Sequence, residues 1–179
     1  MDSNERLRNS IKKFIKNSHA SYLTDLDINP ELQTSLIYPT CDLFLTKQQY
    51  DSLWRFLNAI GEDKFYLTQF DNVPSGIDSE ENTFLCIDKN TDYHEYMEIN
   101  LYSLSLLISE NGTWAIFIDE TLDGGIGIFV ASQKYMEAFQ LCYPQLSNDL
   151  LSYQEDAKGF DEFYSTEYYD KLMKILHIY

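Results

Sequence analysis

Histidine is the side chain that most often carries protons near neutral pH, and this chain has three, His19, His94 and His177. None has another histidine, a cysteine or an acid at the spacing of a metal site, and the motif HExxH is absent. His94 is the best candidate for acid–base chemistry because Asp92 and Glu95 are close in sequence. A lone histidine among acids is more typical of a surface residue than of a catalyst. We therefore predict a surface role for His94.

A glycine-rich segment at residues 122–127 (Leu-Asp-Gly-Gly-Ile-Gly) has some features of a phosphate-binding loop. It lacks the lysine and the spacing of a P-loop, and a β-rich run rather than a helix start follows it. An anion would also meet Asp119, Glu120 and Asp123. The glycines are better explained by a turn that needs positive φ.

Adjacent carboxylates occur at three places: Asp119/Glu120, Glu80/Glu81 and Asp161/Glu162. Glycoside hydrolysis needs two carboxyl groups that face each other across a cleft, about 5–9 Å apart, which sequence neighbours do not guarantee. The regular ligand spacing of a calcium loop and the serine elbow GxSxG are both missing. We predict no enzymatic activity, no cofactor and no metal ion.

The same acids, together with nearby tyrosines, suit the binding of a protein. Interfaces favour aromatic anchors, and carboxylates beside them attract a surface rich in lysine and arginine. The predicted partner-binding residues lie on two loops and one unassigned segment: Asp119, Glu120 and Asp123; Asp78, Glu80 and Glu81; Asp92, Tyr93, Glu95 and Tyr96. Reversing the first three charges together should slow association and cost little stability, because exposed charges contribute little to folding. The alternative for each tyrosine is a place in the core.

Net charge limits the class of partner. Thirteen Lys and Arg against 29 Asp and Glu give −16. Residues 1–16 hold five cations and two acids, or +3, so the remaining residues carry −19. Such a body repels nucleic acid and anionic lipid and attracts a basic protein. The alternative is that the acidity serves solubility alone.

Composition indicates one folded unit. A chain of 179 residues with 44% hydrophobic residues can build a single core but hardly two. No apolar run is long enough to span a bilayer, and the first residues lack a signal-peptide pattern. We expect a cytoplasmic protein. Cys41, Cys86 and Cys142 are too widely spaced for a zinc site and are predicted to be buried and reduced.

Hydrophobic spacing predicts an α+β protein, a single domain over residues 1–179 with helices packed against a central antiparallel sheet. Residues 1–18 form a basic amphipathic helix, with a helical stripe over 3–18 that docks on the body; residues 64–130 are mainly β, and residues 131–179 mainly helical. Residues 19–40 are mixed, with Pro30 and Pro39 as breakers, and residues 41–45 are a short strand. Residues 47–60 form a helix with a capping box at Thr46 and Gln49 and a C-terminal Gly61.

Within the β region, residues 64–70 and 83–88 are predicted strands, and residues 101–130 a three-stranded meander. Asn111 and Gly112 favour a two-residue hairpin turn, and residues 119–125 form a second loop. Three helices follow, from Ser132 to Cys142, over 146–157, and over 166–177 with Ser165 as its cap.

The segments Ser-Glu-Asn-Gly-Thr-Trp-Ala-Ile-Phe-Ile (109–118) and Gly-Gly-Ile-Gly-Ile-Phe (124–129) resemble the central hairpin of several immunity proteins of bacterial polymorphic toxin and contact-dependent inhibition systems. In this chain, as in those immunity proteins, a polar turn precedes a strand that contains a tryptophan. Size and acidity are also similar to that group. The resemblance covers about 30 residues. It implies an intracellular inhibitor that binds and neutralises a cognate toxin domain, often a nuclease, by blocking its active site or substrate surface. The alternative is a small-molecule or regulatory binding module whose acidity is incidental.

Overall fold

The structure, a computed structural model, describes residues 2–70, 75–121, 124–159 and 162–178. In the described chain the helices are α1 (Ser3–Phe14), α2 (Lys47–Ile60), α3 (Tyr93–Met97), α4 (Gln133–Cys142), α5 (Leu146–Ala157) and α6 (Glu162–Ile175), with one 3-10 turn at Leu23–Asp25. The strands are β1 (Gln33–Thr40), β2 (Lys64–Gln69), β3 (Leu85–Asp88), β4 (Ser105–Ile108), β5 (Trp114–Thr121) and β6 (Gly124–Ala131).

The strands form one antiparallel sheet in the order β1-β6-β5-β4-β2-β3. The predicted fold class, α+β with helices packed against a central antiparallel sheet, is confirmed. The predicted meander is present as β4, β5 and β6, each paired with the next. The two edges of the sheet are β1 and β3.

Helices cover both faces of this sheet. Alternate residues of β5 point to opposite sides, so that Ala115 and Phe117 belong to one apolar cluster and Ile116 and Ile118 to the other. Apolar residues of α1, α5 and α6 fill the first cluster, and those of α2, α3 and α4 fill the second. Two buried faces explain why the central strands are almost continuously apolar in sequence.

The helix predicted from the capping signals of α2 is confirmed. The Thr46 side chain accepts a hydrogen bond from the Gln49 backbone N–H, and the Gln49 side chain accepts one from the Thr46 N–H. Gly61 ends the helix in the left-handed region with φ of 78°. These contacts satisfy backbone groups that a helix end leaves without partners.

The amino-terminal third differs from its prediction. The first helix does not reach residue 18 but ends at Phe14, because the next residue, Ile15, forms a β-bridge with Ile28. The docking of this helix is observed, since Leu7, Ile11 and Phe14 are buried in the first cluster. The region predicted as mixed contains β1. Residues 41–45 are not a strand: the backbones of residues 41 and 44 bond to each other across a tight turn.

Three further predictions need correction. The hairpin between β4 and β5 has a four-residue loop, because the Ser109 N–H bonds to the Trp114 carbonyl and the Ser109 hydroxyl accepts the Thr113 N–H. The last helix begins at Glu162, so Ser165 lies inside it rather than at its cap. The cysteines are not buried: Cys86 is exposed, and Cys41 and Cys142 are half-buried. The helices after Ser132 and over residues 146–157 are confirmed.

Gly125 permits a close approach between β6 and the turn after β1. A Cβ atom there would lie 2.0 Å from the Asp42 carbonyl oxygen and 2.1 Å from the Thr40 hydroxyl oxygen. We expect Gly125→Ala to destabilise the protein by about 1–3 kcal/mol or more, because the strand must move away from β1. Gly61→Ala is the matched control: a Cβ there meets nothing within 4 Å, and only the positive φ costs, by about 1 kcal/mol. Urea unfolding of both variants gives the comparison, and equal losses would contradict the close approach.

Candidate protein-binding surface

One residue of the predicted acidic loop at residues 119–125, Asp119, belongs to the sheet and is not open to a partner. Asp119 lies within β5 opposite Ile126 and is 5% exposed. Its carboxylate accepts a hydrogen bond from the Leu23 backbone N–H at 2.8 Å and one from the Tyr168 hydroxyl at 3.4 Å. Burial raises the pKa of Asp119 to about 6. The strand continues to Thr121 because residues 120 and 121 pair with β6. The Asp119 side chain joins the 3-10 turn and α6 to the sheet.

The other residues predicted on that loop are placed differently. Glu120 is exposed near the end of β5, where it pairs with Gly125. Asp123 lies outside the described residues. Of this predicted trio, only Glu120 is seen to present a charge to solvent.

The second predicted acidic loop, which carries Asp78, Glu80 and Glu81, is held in place by contacts at Ile77 and at Asn82. Ile77 is buried, and its N–H donates to the Ser18 carbonyl. Asn82 is 2% exposed, with its amide nitrogen 2.6 Å from the Ile77 carbonyl oxygen. Asp78 forms an ion pair with Lys12 of α1 at 3.6 Å. Glu80 and Glu81 remain exposed, so the loop presents these two carboxylates from a fixed backbone.

The segment that the sequence left unassigned is the short helix α3. Asp92 caps it: its carboxylate accepts the Glu95 N–H at 2.9 Å, and the Glu95 carboxylate accepts the Asp92 N–H at 3.0 Å. Both side chains are exposed, as a binding role requires. Each carboxylate therefore already accepts a hydrogen bond at the start of α3, and changing either residue would also destabilise this helix.

The two tyrosines predicted as anchors hold α3 to the body instead. Tyr96 is fully buried, stacks on Tyr50 at 4.7 Å between ring centroids, and accepts the Leu45 N–H at its hydroxyl. Tyr93 is half-buried and donates its hydroxyl to the Leu45 carbonyl at 3.0 Å. Burial raises the pKa of both phenols. The interface role predicted for Tyr96 is wrong, because its ring has no exposed surface.

Exposed apolar side chains lie nearby on the β3 edge of the sheet. Leu85 is 48% exposed and Tyr102 is 79% exposed. Leu85 pairs with Leu67 of β2. Two residues further along β2, the side chain of Gln69 accepts a hydrogen bond from the Tyr102 N–H, which places Tyr102 near this end of β3. A cleft of about 220 Å³ lies between Leu85 and residues 99–101. An aromatic ring and an aliphatic side chain are thus open to solvent beside the carboxylates.

We define the acidic edge as β3 with its exposed neighbours, namely Glu80, Glu81, Leu85, Cys86, Asp88, Asp92, Glu95, Glu98 and Tyr102. Residues 80–102 contain six carboxylates and one lysine, Lys89. The ion pair seen among these six joins Glu98 to His94 at 3.3 Å and requires a protonated imidazole. Elsewhere in the described chain, lysines pair with Asp51, Glu110, Glu155 and Glu167. The acidic edge therefore keeps a local excess of negative charge.

The chain matches no known protein family, no curated protein and no solved structure.

Other surfaces of the described chain are less suited to a ligand. A cleft of about 610 Å³ between α5 and α6 includes Leu151, Gln154 and Tyr169, and one of about 460 Å³ beside α4 includes Tyr135 and Leu141. All their lining residues are exposed or half-buried. Within the described ranges, no three His, Cys, Asp or Glu side chains gather closely enough to hold a metal ion. Nor does any described helix have the length and apolar character needed to cross a membrane.

Sequence reasoning missed Leu85 as a surface residue. The run Thr-Phe-Leu-Cys-Ile-Asp at 83–88 has the composition of a buried strand, yet only Ile87 of β3 is buried. A signal was available in the flanking acids, because charged residues at both ends of a short strand are typical of a sheet edge.

Proposed function

We propose that this protein binds a basic protein through the acidic edge and thereby neutralises it. The observation that carries the proposal is that residues 80–102 combine six exposed carboxylates with two exposed apolar side chains, Leu85 and Tyr102. Protein interfaces combine an apolar centre with a polar rim, and aromatic residues are common anchors. Complementary charge accelerates encounter and disfavours wrong partners.

We further propose that the partner is a cognate toxin domain with a cationic active face, such as a nuclease. A carboxylate surface there would occupy the place of the nucleic acid phosphates. The support is the resemblance of residues 109–118 and 124–129 to the hairpin of immunity proteins. Trp114 in this hairpin is fully buried, so the resemblance concerns the centre of the sheet, and the binding surface is argued from the acidic edge alone.

The test reverses three exposed charges, Glu80→Lys, Glu81→Lys and Glu98→Lys, in one variant. These positions avoid the capping pair of α3 and the Asp78–Lys12 ion pair. We expect association with the basic partner to slow by at least about tenfold at low salt, with a smaller effect at high salt. The resemblance to immunity proteins implies that a neighbouring gene encodes the toxin, so the partner for this test is the C-terminal domain of that gene's product, purified after co-expression with this chain. Stopped-flow association rates at two salt concentrations give the measurement.

The matched control reverses three exposed acids outside the acidic edge, Asp27, Glu31 and Asp170. Both variants change the net charge from −16 to −10, since each reversal adds two units. Equal slowing of the two variants would mean that total charge, not the acidic edge, governs association. A native complex whose contact surface has no excess of lysine and arginine would contradict the proposal as a whole.

The second candidate is a small-molecule or regulatory binding module. The cleft between α5 and α6 favours it, because its volume of about 610 Å³ lies within the usual range for ligand sites. Such sites bury their ligand and converge polar groups on it, whereas here Gln154 donates to the Tyr169 hydroxyl within the cleft itself. A small molecule that protects residues 151–169 from hydrogen exchange would favour this candidate.

A further inference from the structure

The alternation of hydrogen bonds shows which backbone groups of β3 face outward. In antiparallel sheets a residue bonds through its backbone to one neighbouring strand, and the next residue bonds to the other. The Phe70 N–H donates to the Leu104 carbonyl, so the even-numbered residues of β2 bond to β4 and its odd-numbered residues to β3. In the register of β2 with β3, Phe65 and Leu67 bond to Ile87 and Leu85. Cys86 therefore directs its N–H and carbonyl away from the sheet.

Cys86 is exposed, and its outward backbone groups have no partner among the described residues. The neighbouring outward position on one side is Phe84. On the other side the Asp88 carbonyl accepts the Thr91 N–H in the turn that follows the strand. The open part of the edge thus runs from Phe84 to the N–H of Asp88, which is enough for a short added strand.

The opposite edge of the sheet is closed. The N–H of Tyr38 in β1 donates to the carboxylate of Asp149 in α5 at 3.0 Å, and the Thr34 hydroxyl donates to the Ile175 carbonyl of α6 at 2.9 Å. Asp149 is 5% exposed and also accepts the Tyr143 hydroxyl at 2.7 Å. Exposed strand edges invite pairing with other chains, and helices that cover an edge prevent it. The fold protects β1 in this way, whereas none of the described residues forms a backbone hydrogen bond with the outward groups of Cys86 in β3.

We propose that the partner inserts an extended, lysine- or arginine-rich segment beside β3, where it pairs with residues 84–88 as a seventh strand. This inference rests on the proposed binding of a basic protein and adds the mode of docking. Strand addition obtains affinity from main-chain hydrogen bonds and specificity from alternate side chains. The cations of the added segment lie next to Glu80, Glu81 and Asp88 and to the acids of α3.

Charge complementarity decides which strand pairs here. A second copy of this chain would bring the same carboxylates against the acidic edge, and like charges directly opposite each other are destabilising. A basic strand meets the opposite sign along the same backbone. The acids therefore act against self-association at an edge that the fold leaves open, and they select a cationic partner.

The cleft beside Leu85 provides a place for one side chain of the added strand. Its volume of about 220 Å³ is below the roughly 300–1,000 Å³ of small-molecule sites. Its walls include Phe84, Leu85 and Leu101, together with the polar residue Gln69. An aliphatic side chain, or the methylene stem of a lysine, can be buried there while a charged end reaches the carboxylates.

Three peptides, one unmodified and two N-methylated, test this mode of binding. The first probe is an octapeptide of alternating lysine and valine with acetylated and amidated ends. The second has the same sequence and charge, with N-methyl groups on the backbone amides of alternate residues along one edge. Two such peptides, methylated on either edge, cover both orientations. We expect the first probe to bind, and the peptide methylated on the pairing edge to bind at least about tenfold more weakly, because it lacks donors for the ladder.

Hydrogen exchange of the protein gives the second readout. In the free protein the Cys86 amide should exchange quickly and the neighbouring Ile87 amide slowly, because only Ile87 bonds to β2. Binding of the lysine–valine peptide should slow exchange at Cys86 by at least about tenfold and leave Ile87 little changed. The variant with Glu80, Glu81 and Glu98 reversed should lose both binding and this protection.

The outcomes separate the two proposals. If all the peptides bind equally and the charge-reversed variant binds none, electrostatic binding stands and strand addition is overturned. If the peptides bind while the Cys86 amide still exchanges quickly, strand addition is also overturned. If no peptide binds but the charge-reversed variant loses its basic protein partner, the acidic edge is retained as the binding surface and this mode of docking is rejected.

Discussion

Trp114→Ala should destabilise the protein by about 3–5 kcal/mol in urea unfolding, because the substitution removes a large side chain from the centre of the core. Trp114 is fully buried in β5. Its ring contacts Phe56 at 5.9 Å and Phe129 at 6.3 Å between centroids. Both neighbours are themselves fully buried, so the surrounding residues have little freedom to close the cavity.

The indole N–H adds a polar contribution that a smaller change can isolate. It donates to the Glu62 carboxylate at 3.0 Å, and the Thr113 hydroxyl donates to the other carboxylate oxygen at 3.0 Å. Trp114→Phe keeps an aromatic ring and removes this donor, so we expect a smaller loss, about 1–3 kcal/mol. A Trp114→Ala variant as stable as the original protein but unable to bind its partner would instead make Trp114 an interface residue.

Local signals in the sequence predicted a good part of this fold. The capping box at Thr46 and Gln49 and the glycine at 61 define α2 without reference to any other segment, and both are confirmed. Helix α4 after Ser132 and helix α5 are also confirmed, although the Ser132 side chain makes no capping hydrogen bond. The meander was predictable because its strands are consecutive, so that short connections set the pairing.

Pairings between distant segments were not predictable in the same way. The strand β1 contains Pro39, which argues against a central strand but is compatible with the end of an edge strand. Its neighbour β6 follows about 90 residues later, and no local pattern indicates that pairing. Likewise, no local pattern indicates that the carboxylate of Asp119 accepts a hydrogen bond from the N–H of Leu23, because these residues are 96 positions apart in the sequence.

The carboxylates of this protein divide into two groups that net charge does not distinguish. Asp119, Asp149 and Glu62 accept hydrogen bonds in buried or half-buried places, and burial raises the pKa of each. These acids hold helices and turns to the sheet. The exposed acids near β3 face solvent, even where Asp92 and Glu95 cap α3 and Glu98 pairs with His94, so their charge is available to another protein. Charge-reversal experiments are informative only on the second group, since reversal at a buried acid tests folding.

Asp119→Asn should make the protein more stable at pH 7.5 by about 1–3 kcal/mol and leave its stability unchanged near pH 4. The folded-state pKa of about 6 lies above the unfolded value of about 3.9. The buried carboxyl group therefore favours folding when it is protonated. That contribution is complete below about pH 4 and is lost as the pH rises through 6, where the charged form must stay buried.

Asparagine separates the charge from the hydrogen bonds. Its carbonyl oxygen can still accept the Leu23 N–H, and its size matches that of aspartate. Urea unfolding of the original protein and of the variant between pH 4 and 8 gives the difference in their free energies of unfolding. Asp149 and Glu62 titrate in both proteins, so their contribution cancels in that difference. A variant that is less stable than the original at pH 7.5 would contradict the prediction. In that case the charged hydrogen bonds from Leu23 and Tyr168 would outweigh the cost of burying the carboxylate, and Asp119 would stabilise the fold in its ionised form.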